Sequence, residues 1–162
     1  MKPWGQRVVN PLVSAEALRR IVNSDAVVRH FGCWPPFEDA ELISLQFDRG
    51  NHMAVVFERL PQWDERKPPT LEATFSTFNA EAAPDSTDRR PAHVSLMFYE
   101  LHEVQIEGLN YQNPIQGLGI HLEQVDRLRG SCLRVNWGGT GMRHEVSLLC
   151  AGITVRSVAP LA

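Results

Sequence analysis

The chain has 162 residues, and its 16 Lys and Arg against 19 Asp and Glu give a formal charge of −3, too mildly acidic for a surface that tracks phosphates. Its 43% hydrophobic content is that of a globular protein, and the length suits a single domain over residues 1–162 that buries its own core. No apolar run approaches the roughly 18–20 residues that cross a bilayer, and the N-terminus lacks the apolar stretch of a signal peptide, so neither nucleic acid nor membrane is expected as a partner.

Residues 14–32 read as one or two short helices. Ser14 suits the first N-cap, with Leu18, Ile21 and Val22 on one face. Ser24 or Asp25 suits a second cap, ahead of Val27, Val28 and Phe31, and Gly32 suits the stop. Pro35 and Pro36 then forbid further helix.

From residue 39 to 160 the pattern is mainly β. Ile43, Leu45 and Phe47 alternate with Ser44, Gln46 and Asp48, which predicts a strand with the apolar set inward. The turn residues 49–51 predict a hairpin into residues 52–60. A polar loop over 61–69 precedes a strand around 71–78. Residues 81–91, polar and flanked by proline, form the most loop-like segment, expected to be mobile.

Val94, Leu96 and Phe98 make an inward set that Val104 and Ile106 are expected to resume. Residues 110–119 read as a loop ordered by side-chain amides, with Asn110, Gln112 and Asn113 holding its shape or offering a contact face. Leu133, Val135 and Trp137 alternate up to a glycine turn at 138–141 that returns the chain into the last apolar stretch. About seven strands behind a helical segment define an α+β domain dominated by antiparallel sheet. Its exposed edges leave homodimerisation open.

Catalytic motifs are missing. The glycine-rich segments match no phosphate cradle, and no GxSxG elbow occurs. His102-Glu103 and His144-Glu145 open like a zinc-protease helix, but Ile106 and Leu148 stand where the second histidine belongs. Both pairs lie in alternating sequence and are expected on exposed strands. Three cysteines without a CxxC pair suit a reducing cytosol; Cys132 and Cys150 read as inert core residues, and carboxylates near Cys33 disfavour its thiolate.

The densest segment is "FGCWPPFEDAEL", residues 31–42. Trp34, Pro35 and Phe37 are expected to anchor the helices onto the sheet. Glu38, Asp39 and Glu41 can cap a turn, bind a partner, or serve a metal or acid–base site. A strand beginning at Asp39 places Asp39 and Glu41 on the face of Ile43, where one of them would be partly buried beside a partner.

Extended to residue 49, this segment resembles the signature of the immunity protein 50 family of bacterial polymorphic-toxin systems. That signature is an aromatic-Gly-x-Trp-Pro-x-Phe-His-Asp-Ala-Glu run leading into a strand. Residues 94–120 resemble the family's second block, a strand followed by an Asn-x-x-Asn loop, and residues 150–160 its closing strand. The chain departs from the pattern at Glu38, which stands at the histidine position, and this favours a structural or binding role for the run over catalysis. The resemblance implies a cytoplasmic bacterial inhibitor without enzymatic activity or cofactor, whose partner is a cognate toxin domain. Two other readings are a generic β-sheet binding or assembly module and a small metal-dependent hydrolase using Asp39, Glu41 and a histidine such as His102.

Overall fold

The structure, a computed structural model, describes residues 12–50, 67–110, 112–128, 130–138 and 144–162. Helix α1 (Ala15–Arg19) starts where Ser14 Oγ accepts the Ala17 N–H at 3.1 Å, satisfying one of the unpaired amides of a first turn. Helix α2 (Ser24–Phe31) stops at Gly32, whose φ of 81° suits glycine and whose N–H returns to the Val28 carbonyl at 2.7 Å.

The chain between the helices differs from the expected helical face. Ile21 and Val22 form a two-residue strand, β1 (Ile21–Val22), parallel to Ile153 and Thr154 of the last strand. Neither Ser24 nor Asp25 caps α2. The N-cap is Asn23, in the left-handed region at φ 61° and without a side-chain cap bond. Its side-chain amide instead donates to the Val155 carbonyl at 3.5 Å, because sheet pairing of the preceding residues fixes how the chain enters the helix.

The remaining strands are β2 (Glu41–Asp48), β3 (Thr70–Thr77), β4 (Ala92–Glu107), β5 (Leu118–Val125), β6 (Gly130–Gly138) and β7 (Glu145–Pro160). They lie in the order β2-β3-β4-β7-β6-β5, antiparallel at every step, with β1 added beside β7. β4 and β7 form the spine. The early part of β4 carries β3, and the early part of β7 carries β6. The seven strands described make a mainly β, α+β domain, as expected. The expected hairpin partner at 52–60 and the loop over 61–66 lie outside the described residues, as does most of the glycine turn at 138–141.

One core gathers the helices and the inner sheet face. Ala17, Val27 and Phe31 meet Leu71, Phe75, Val94, Leu96, Phe98, Leu133, Val135 and Trp137 there, all nearly or fully inaccessible. Each such large side chain contributes about 1.5–3 kcal/mol through removal from water. Aromatic rings run through this core in file. Trp34 meets Phe37 at 5.8 Å, Phe37 meets Phe75 at 5.6 Å, Phe75 meets Trp137 at 5.3 Å, and Trp137 meets Phe98 at 5.8 Å. Phe37 thus lies between Trp34 of the corner and Phe75 of β3.

The phase of β2 differs from expectation. A bulge between Leu42 and Ser44 leaves Ile43 unpaired and 49% exposed, while Leu42 faces Phe75 and Leu45 faces Ala73. Phe47 keeps the inward register opposite Leu71 but stands at the end of the strand, 53% exposed. Val104 and Ile106 likewise stay in register with buried Leu148 and Val146, yet they are exposed where β4 runs past the core. Strand β5 was not foreseen, because Gly119 and His121 interrupt its apolar pattern. The loop over 81–91 is tied to its neighbours: Asn79 N donates to the Arg89 carbonyl at 2.7 Å, and Arg90 Nη1 to the His30 carbonyl of α2 at 3.0 Å.

Candidate functional site

The predicted site residues come from two segments about seventy positions apart, and the fold zips those segments together. Pro36 accepts the Leu118 N–H at 3.2 Å. Asp39 N donates to the Ile115 carbonyl at 3.1 Å, and Ile115 N returns to the Ala40 carbonyl at 2.9 Å. Leu42 N donates to the Asn113 carbonyl at 3.0 Å, and Glu41 bridges to Pro114. β2 and β5 lie at opposite ends of the strand order, so this seam draws the two ends of the sheet towards each other.

On one side of the seam, the corner is shaped by two left-handed residues, Phe37 at φ 58° and Asp39 at φ 60°. These turn Phe37 and Ala40 into the core, at 1% and 0% exposure, and leave Glu38, Asp39 and Glu41 in solvent. The expected partial burial of Asp39 or Glu41 does not occur. The strand starts at Glu41, and the twist at Asp39 breaks the alternation that would have carried either residue inward. Pro35 is buried beside Trp34.

On the other side, side-chain amides bond within the loop. Asn113, 9% exposed, accepts the Asn110 N–H at 2.9 Å through Oδ1 and donates through Nδ2 to the Asn110 carbonyl at 2.5 Å. Asn110 Oδ1 accepts the Gln112 N–H at 2.9 Å. Asn113 is therefore occupied internally, and Gln112 stands in solvent next to the acidic corner.

Among the described residues, no three His, Cys, Asp or Glu side chains gather closely enough to hold a metal. His102 sits at a bulge in β4, exposed and remote in register from Asp39 and Glu41. Burial pushes the Cys150 thiol up to about 12, so its thiolate is out of reach at neutral pH. His144 is the correction among the His-Glu pairs. It is buried, at 1% exposure, and desolvation lowers its pKa.

Two groups escaped the sequence reading because register alone creates them. Arg134 on β6 donates to Glu123 on β5 through Nε at 2.8 Å and Nη2 at 3.0 Å, and to Glu103 on β4 through Nη1 at 3.0 Å. This fork holds the Glu123 carboxyl below the usual range and raises the guanidinium pKa. On the same outward face Glu107 and Glu145 stand directly opposite each other.

The profile of Immunity protein 50 matches residues 23–161. The chain belongs to that family. No curated protein and no solved structure matches it. In this immunity-family chain, the two segments whose resemblance pointed to the family are the two that form the seam. The closing stretch is the half of β7 that pairs with β4 and β1. Among the described residues, no helix is long and apolar enough to cross a membrane.

Proposed function

We propose that this chain is the immunity partner of a bacterial polymorphic toxin, and that it neutralises the cognate toxin domain by binding it in the cytoplasm, without catalysis of its own. The observation that carries this reading is the Immunity protein 50 match across residues 23–161, which takes in α2 and strands β2 to β7. A scaffold of this kind suits inhibition by contact. The sheet is cross-braced by the seam and the aromatic file, so surface side chains are held in place before a partner arrives, which limits the ordering cost of binding. Glu38, Asp39, Glu41 and Gln112 supply a polar, acidic rim at the seam.

Co-expression with the toxin domain encoded beside it tests the proposal. Rescue of growth together with co-purification of the pair is the expected result. Full toxicity in cells holding a folded, abundant immunity chain overturns it.

A further inference from the structure

Strands β3 and β4 are antiparallel neighbours, and Thr77 with Ala92 is their last pair. Two residues can close such a pair, and about two to five usually do. Here the connection runs over residues 78–91. None of these residues is buried, and none belongs to the core. The extra length therefore adds nothing to packing. Exposed connections of this length are uncommon, and are as a rule either disordered or functional.

This one is ordered, and polar groups order it. Asn79 closes the loop: its N–H donates to the Arg89 carbonyl at 2.7 Å and its Nδ2 to the Asp88 carbonyl at 3.3 Å, while its Oδ1 accepts the Glu81 N–H at 3.2 Å. Ser86 accepts the Arg89 N–H through its carbonyl and the Asp88 N–H through Oγ, both at 3.1 Å, and so caps a single 3-10 turn, Thr87–Arg89. The Arg89 guanidinium lies 3.8 Å over the Phe78 ring. Two further ties fasten the stem to other elements. Arg90 Nη1 donates to the His30 carbonyl of α2 at 3.0 Å, and His30 Nε2 donates to the Arg90 carbonyl at 2.8 Å. Leu161 N donates to the Pro91 carbonyl at 2.9 Å, which brings its half-exposed side chain beside the stem. Closed ends and internal bonding are the marks of an Ω-loop.

The side-chain bonds hold Asn79 and residues 86–90, and they leave a tip over 80–85 whose Ala80, Ala83, Pro84 and Asp85 are exposed. Alanine and proline lose almost no rotamer freedom when a partner covers them, and they let another backbone approach closely. A thin edge of small residues is suited to a cleft more than to a flat face.

We infer that loop 78–91 is the element that this chain inserts into a concave surface of the toxin domain, with the tip over 80–85 making the contact. The inference rests on the proposed function and names the part of the chain that meets the partner. Both ends of the loop are fixed before binding, so little further ordering opposes association. The clasp between His30 and Arg90 then positions the tip relative to the helices, and does not itself touch the partner.

The test uses a catalytically inactivated form of the toxin domain encoded beside this chain as the probe. Ala83→Arg places a long side chain on the tip, and calorimetry is expected to show affinity at least tenfold weaker while Tm stays within about 2 °C of wild type. Ala15→Arg, the same change on the exposed start of α1, is expected to alter neither. A second variant replaces residues 78–91 with Asn-Gly, and is expected to fold and to lose binding by at least tenfold. Wild-type affinity within twofold in Ala83→Arg or in the short-turn variant, with rescue intact, overturns the inference and leaves the immunity reading standing. An equal loss in Ala15→Arg overturns it as well, because the tip is then not special. A short-turn variant that does not fold makes the loop a requirement of the fold and also overturns it. If wild type neither binds the domain nor rescues cells, the immunity reading fails, and the inference fails with it.

Discussion

The backbone N–H of Leu42 donates to the carbonyl of Asn113 across 3.0 Å, tying the first residues of β2 to the loop that precedes β5. That bond sits inside the Asn113 turn, whose side chain holds both backbone groups of Asn110. Asn113→Ala removes both side-chain bonds at a buried position. It is expected to cost about 1–3 kcal/mol, the usual penalty for leaving buried polar groups unpaired. Urea denaturation measures it, and an unchanged midpoint shows that the loop holds its shape without the amide.

Trp34 begins the aromatic file, and its indole N–H is buried without a hydrogen-bond partner among the described residues. Trp34→Ala should therefore lower stability by roughly 3–5 kcal/mol, as large aromatic truncations in cores do. Trp34→Phe keeps a ring beside Phe37 and discards an unsatisfied donor, so a much smaller loss is expected. Equal losses for the two variants contradict the packing account. If Trp34→Ala instead melts like wild type but loses toxin affinity, the ring is a contact residue.

Gly138→Ala should destabilise the β6–β7 junction by more than about 1 kcal/mol, since it adds left-handed strain to a collision with the His144 backbone. Circular dichroism melts report the loss. A neutral outcome means that the strands part there without cost.

The buried His144 makes stability depend on pH in one direction. Its folded pKa lies below the unfolded value of 6.5 through desolvation, so the unfolded chain binds the proton more readily. The fold keeps its full stability above about pH 6.5 and loses it as pH falls towards the folded pKa. In His144→Phe, the difference in unfolding free energy between pH 7.5 and 5.5 should shrink. An unaltered difference assigns the acid sensitivity to other groups.

Local chemistry settled much of this protein. Ser14 and Gly32 bound the helical segment because an N-cap oxygen and a left-handed glycine act within a few residues of chain. Val94, Leu96 and Phe98, like Leu133, Val135 and Trp137, reach the core because a central strand alternates faithfully between faces. The family was legible in the residues from Phe31 to Arg49 and around Asn110. That those residues lie side by side was decided only by the tertiary structure, which joins them into one seam. Alternation failed wherever a long-range partner changed the count: the bulge that expels Ile43, the sheet pairing that claims Ile21 and Val22, and the overrun of β4 that leaves Val104 exposed. Sequence spacing holds no record of cross-strand register, so the Arg134 fork and the opposition of Glu107 to Glu145 were decided by pairing alone.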